Sequence, residues 1–133
     1  MNMELFTKLL TQTDIERRLS VPTHILNSIP FVDEDDRHAD LQVKDSGGGL
    51  WTFRCICRDG VYAKPVFSKG WLEFVHAKKL KVDDKLVLYK EKDDVFDDQG
   101  AVSYRIEVTR KVLRLMGQDI WIDVEQLHLY GIG

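Results

Sequence analysis

The chain has 133 residues, 44% of them hydrophobic, and a formal net charge of −3. That suits one domain with a real core and excludes two ordinary domains or a chain disordered throughout. No apolar run reaches membrane-spanning length and no charged-then-apolar leader opens the chain, so a soluble intracellular protein is expected.

Leu5 to Leu10 predicts a first strand, and Arg18 to Val21 a short second one. Pro22 is placed to open a helix in which Ile25, Leu26 and Ile29 share a face, and Pro30 is placed to end it. From Asp33 to Asp40 the chain is acidic, with a local charge of −4. Leu41 and Val43 then alternate with Gln42 and Lys44, the pattern of a half-buried strand, and Ser46-Gly47-Gly48-Gly49 reads as a turn. In the next strand Trp51, Phe53, Cys55 and Cys57 take one face, and Thr52, Arg54, Ile56 and Arg58 the other.

Asp59-Gly60 signals a tight hairpin, because both turn positions need positive φ. The return strand runs from Val61 to Phe67, with Pro65 marking an edge or a bulge. Ser68 is expected to cap a helix whose Trp71, Phe74 and Val75, at i, i+3 and i+4, face the core. Lys85 to Lys92 is a further strand, followed by a second acidic run from Glu91 to Asp98, again with a charge of −4. Tyr104, Ile106 and Val108 alternate in the strand that closes the sheet. Val112 to Met116, a Gly117 turn and Ile120 to Val124 suggest an appended hairpin. Many short strands with two short helices predict a mainly β protein, a small barrel or curled sheet.

Chemistry-bearing motifs are few. Cys55 and Cys57 are the only cysteines, which does not make a secreted disulfide framework, and they read as reduced core residues. With His24, His38, His76 and His128 they match no zinc spacing. Ser68, Asp14 and the histidines form no nucleophile–base order. Gly47-Gly48-Gly49 lacks the lysine and helix of a phosphate-cradling loop. The expectation is therefore no metal, no cofactor and no enzyme. Trp51, Phe53, Trp71 and Phe74 are assigned to core packing rather than base stacking. Outside the two acidic runs, 17 basic residues face 12 acidic ones, so the charge distribution says more than its sum.

Several blocks together resemble the plant-specific B3 DNA-binding domain. They are Phe6-x-Lys8-x-Leu10-Thr11-x-x-Asp14, Arg18-Leu19-x-Val21-Pro22, Leu41-x-Val43-x-Asp45 and Gly49-x-Trp51-x-Phe53. Ser68-Lys69-Gly70-Trp71-x-x-Phe74-Val75 and Lys79-Leu80-x-Val82-x-Asp84 complete the set. The likeness covers Leu5 to Val108. The chain differs from the usual pattern at Thr23, at Arg58-Asp59-Gly60 and at Asp83-Asp84.

The resemblance implies a seven-stranded open pseudo-barrel with two short helices, residues 1–111, and a C-terminal extension, residues 112–133, that adds a strand or hairpin. It implies sequence-specific reading of double-stranded DNA through the major groove, in transcription regulation in a plant nucleus. Two arms, about Lys8 to Arg18 and Arg54 to Lys69, are expected to form neighbouring prongs of one curled sheet. On them Lys8, Arg17, Arg18, Lys64 and Lys69 suit phosphates, Arg54 and Arg58 suit guanine, and Thr11, Gln12 and Thr13 suit either. A rival reading is a protein-interaction module of the same fold with vestigial DNA affinity, forming a homodimer through Trp121 and Leu127 or binding other transcription proteins.

Overall fold

Side chains that alternate along the chain alternate between core and solvent, and this builds the sheet. Leu41, Val43, Phe53, Cys55 and Cys57 are buried, while Asp40, Gln42, Lys44 and Thr52 are exposed. The computed structural model describes residues 2–29, 31, 37–57, 64–92, 102–129 and 131. Pro30, Arg58, the Asp59-Gly60 tip, residues 33–36 of the first acidic run and 93–98 of the second lie outside the described residues.

The strands are β1 (Asn2–Leu9), β2 (Leu19–Ser20), β3 (Arg37–Lys44), β4 (Leu50–Cys57), β5 (Val66–Phe67), β6 (Lys85–Lys92), β7 (Val102–Leu115) and β8 (Gln118–Asp123). They form one sheet in the order β1-β6-β7-β3-β4-β5-β2, with β8 added to β7. The pairing of β3 with β7 is parallel and the rest are antiparallel. β1 and β2 end the path, and among the described residues no ladder joins them. Side-chain bonds close the gap instead. Lys8 Nζ on β1 donates to the Ser20 carbonyl on β2 at 2.9 Å, and the His24 ring meets the Leu5 carbonyl at 2.7 Å. The result is the expected curled seven-strand path, an open pseudo-barrel with an extra C-terminal strand.

The interior is filled from β4 and from α2 (Trp71–Lys78). Phe53 sits with its ring centroid 5.4 Å from Phe74 and 5.8 Å from both Phe67 and Trp71. Edge and tilted ring contacts of this kind add about 0.5–1.5 kcal/mol each beyond the area they bury. Burial pushes the Cys55 thiol up to about 12, with Cys57 adding to the effect, so this cysteine is an inert core residue.

Three local readings are corrected. Ser68 does not cap α2: the N-cap is Gly70, at φ 89°, and Ser68 Oγ instead donates to the Arg54 carbonyl at 3.4 Å. The chain must pass so close to β4 that a Cβ at Gly70 would lie 2.0 Å from the Thr52 carbonyl oxygen. The helix after Pro22 is 3₁₀ (Thr23–Asn27), although Ile25 and Ile29 are buried as expected. The first arm, expected over about Lys8 to Arg18 as the loop between the first two strands, contains α1 (Gln12–Glu16). The C-terminal hairpin forms as expected: β7 runs on to Leu115, turns at Met116-Gly117 into β8, and α3 (Val124–Leu129) follows.

β7 passes without a break through position 111 into the C-terminal extension, which continues the sheet. Beyond it, Val124 and Leu127 are buried in their own chain. Lys78 Nζ on α2 lies 2.9 Å from Asp45 and also pairs with Glu125 of α3. Trp121 is half-buried, with Lys85 Nζ 4.1 Å from its ring centroid. Leu127 is thus a packing residue and not a surface for another copy.

Gly70→Ala is expected to cost about 2–4 kcal/mol, since it combines a left-handed backbone with a direct clash on a strand carbonyl. Urea unfolding would measure it. An unchanged midpoint would mean that β4 and α2 can separate freely at this point.

Candidate nucleic-acid interface

The ladder register defines a face. Leu19, Phe67, Cys55 and Ala39 align across β2, β5, β4 and β3, and all four are buried. The next row, Ser20, Val66, Ile56 and His38, points to the opposite side, with Ser20 and His38 exposed and Val66 and Ile56 half-buried. On the other flank of the buried row Asp40 lies opposite Arg54. The Arg54 carbonyl accepts from the Ser68 amide at 2.8 Å, and the Arg54 amide donates to the Lys69 carbonyl at 2.9 Å. Arg18 stands one residue ahead of β2 and is exposed. Lys64, exposed, alternates with buried Pro65, half-buried Val66 and buried Phe67. One side of four strands therefore carries a mixed polar, apolar and cationic surface over a dry core.

The two arms bracket this face. β2 and β4 run in the same direction, since each is antiparallel to β5. The first arm enters β2 at one end, and the second leaves β4 at the other. Past the far end of β2 from the first arm, Val21 N donates to the carbonyl of Pro65 in the second arm at 3.1 Å. The tip of the second arm lies outside the described residues, Arg58 with it.

The first arm is held by one buried carboxylate. Thr11 and Asp14 form a capping box, the Thr11 hydroxyl accepting from the Asp14 amide and Asp14 Oδ2 accepting from the Thr11 amide at 2.8 Å. Asp14 Oδ1 also accepts from Lys8 Nζ at 2.9 Å and from the Ser20 amide at 3.2 Å. Its carbonyl accepts from the Trp71 indole N–H at 2.6 Å, which fastens α1 to α2. β1, α1, β2 and α2 thus meet at one residue.

The residues expected to contact DNA divide accordingly. Lys8 lies within the arm's scaffold, its ammonium engaged by Asp14 and Ser20. Thr11 caps α1, Gln12 bonds to Glu16 along the helix, and Thr13 is exposed with its carbonyl accepting from the Arg17 amide. Arg17, Arg18, Lys64 and Lys69 are exposed. Arg54 is partly exposed and paired with Asp40. Sequence reasoning missed Asp14 as the organiser, although Thr11-x-x-Asp14 is itself a capping signature. It also missed Ser20, Val66 and Asp40, whose shared face exists only once the strands are registered.

A family model for the B3 DNA binding domain matches residues 6–97. Auxin response factor 17 of Arabidopsis thaliana is 34% identical over 97 residues, which are 68% of this chain and 16% of that protein. The B3 domain-containing transcription factor NGA4 of Arabidopsis thaliana is 33% identical over 89 residues, 65% of this chain and 26% of that one. The chain thus spans well under a third of the length of either relative. Among solved structures, the Arabidopsis FUS3-DNA complex aligns with a TM-score of 0.63 and 22% identity, covering 84% of this chain and 100% of that one. A hypothetical Arabidopsis thaliana protein aligns with a TM-score of 0.55 and 17% identity, covering 81% and 90%. These two show a shared fold.

The carboxylates that shape the site titrate with the fold. Burial works to raise the Asp14 pKa, but the Thr11 amide, Lys8 and the Ser20 amide outweigh it and hold the group below the usual carboxylate range. Asp45 follows the same logic, with burial opposed by Lys78, the Trp51 indole and the Gly49 amide. Because both folded values are depressed, their stabilisation is present above about pH 4 and is lost as pH falls through the folded values. Denaturant midpoints are expected to hold from pH 7 to 5 and to drop below pH 4. Asp14→Asn should lower stability at pH 7 by about 1–3 kcal/mol and flatten that acid dependence. An acid slope identical to the parent's would remove Asp14 from this role.

Proposed function

The chain belongs to the B3 DNA-binding domain family, and on that premise we propose that it is a sequence-specific reader of double-stranded DNA acting in transcription regulation in the nucleus. The observation that carries the reading is the outward face of β2, β5, β4 and β3, bracketed by two arms and bearing Arg54, with Arg18 and Lys64 at its ends. The unit that binds is assigned to residues 1–111, with 112–133 an extension that continues the sheet. The reading gives the chain a binding role and no catalysis.

The chemistry divides by residue type. Arg17, Arg18, Lys64 and Lys69, all exposed, suit phosphates, whose neutralisation releases counterions and gives affinity that weakens with salt. Arg54, and Arg58 on the second arm, can each give a guanine two parallel hydrogen bonds in the major groove. Val66 and Ile56, half-exposed on the same face, suit a thymine methyl. Thr11, Gln12 and Thr13 suit sugar–phosphate contacts around α1. Lys8 acts through the arm's scaffold.

A protein-interaction role beside DNA binding draws on one feature. Leu113, Leu115 and Met116 on the β7–β8 ribbon are 51%, 59% and 96% exposed. Sedimentation at increasing concentration should show association that Leu113→Ser with Leu115→Ser abolishes. A monomer at every concentration would dismiss self-association through the ribbon.

Selection from a random duplex library, with affinities measured over a salt series, tests the main reading. Arg17→Ala and Arg18→Ala should weaken all sequences alike and each reduce the salt slope by about one. Arg54→Ala should cost about 1–3 kcal/mol of discrimination at one base pair. Lys8→Ala should register in thermal stability before it registers in the salt slope. Failure of the parent protein to bind any duplex at low salt would end the proposal.

A further inference from the structure

On the face assigned to DNA, a carboxylate stands where phosphate repulsion argues against one. Asp40 lies directly opposite Arg54 in the β3–β4 ladder. Its Oδ1 accepts from Arg54 Nε at 3.0 Å and its Oδ2 from Nη2 at 3.4 Å. The Arg54 backbone is itself gripped by Lys69 and Ser68 through its amide and carbonyl. Both the root and the tip of this side chain are therefore fixed, although the pair is 38% and 50% exposed.

We propose that Asp40 is a positioning residue for base recognition, holding the Nε–Nη2 edge of Arg54 so that the Nη1–Nη2 end is presented to a guanine. A guanidinium offers five donors in a rigid planar fork. Asp40 uses one edge of that fork and leaves the end-on pair, which matches guanine O6 and N7. A free arginine at an exposed strand position would have to be ordered on binding, whereas this one is ordered beforehand. A groove of about 510 Å³, bordered by Asp40, Thr52, Arg54 and Lys69, gives a base edge room to approach the pair. Phosphate contact is disfavoured here by the carboxylate, so the pair contributes discrimination rather than bulk affinity.

This inference rests on the DNA-binding reading, and one experiment separates the two. Random-duplex selection is run on the parent, Arg54→Ala, Asp40→Asn and Asp40→Glu, with thermal unfolding confirming that each is folded. The parent should prefer guanine at one position, and Arg54→Ala and Asp40→Asn should each lose about tenfold of that preference at the same position. Asp40→Glu should retain most of it. Binding of Asp40→Asn to non-specific duplex should stay level or tighten, since a negative charge has gone. Full guanine preference in Asp40→Asn overturns the inference and leaves the DNA-binding reading standing, as does uniform tightening with preference intact. A parent that binds no duplex overturns both.

Discussion

The closure of the sheet path and the shape of the first arm depend on a carboxylate buried at the junction of four elements. Asp14 is 1% exposed, and its two oxygens serve the Thr11 amide, the Ser20 amide and Lys8. Taking an anion out of water is costly unless each lone pair finds a donor. Here the donors come from both ends of the sheet path and from the arm between them. The arrangement is satisfied only when β1, α1 and β2 hold their relative places. A gap that no backbone ladder of the described residues spans is thereby closed by side chains.

The same device recurs. Asp45 is buried and accepts from the Gly47 and Gly49 amides, both at 2.8 Å, and from the Trp51 indole and Lys78. Asp84 is buried and accepts from the Lys81 amide at 2.8 Å and from the Arg110 fork at 2.9 and 3.0 Å. These three are the buried charged residues among those described, and each organises one connection between elements. Aspartate suits the task because its short stem brings two acceptor oxygens to backbone amides of its own turn. Loops fixed this way can carry binding residues without being ordered by the partner.

Strand register does the rest. A shift of one residue in β4 or β5 would bury Arg54 and Ile56 and expose Cys55 and Phe67. The burial of Leu19, Phe67, Cys55 and Ala39 fixes the register, and the outward rows follow from it. The proposed DNA face is thus the reverse side of the core. Gly70 protects this relation, because only a residue without Cβ lets the chain cross beside Thr52 and place Lys69 next to Arg54.

Much of this was legible in the residues alone. Period-two alternation located β3, β4, β6 and the start of β7, and the i, i+3, i+4 spacing located α2, because local periodicity is set by which face must leave water. The family motifs pointed to the arms, and the three motif aspartates, Asp14, Asp45 and Asp84, proved to be the buried ones. Reading from sequence failed where a residue's partner is distant in the chain. Ser68 looked like a cap until β4 came close enough to require glycine at 70. Lys8 looked like a free cation until the fold brought Asp14 and Ser20 to it. Arg54 looked unattached until register set Asp40 opposite. The sequence by itself determined which segments are strands and which sides are apolar, since those depend on near neighbours. Only the tertiary structure decided which charges are committed to the scaffold and which face solvent, because Coulomb and hydrogen-bond partners are chosen by distance in space.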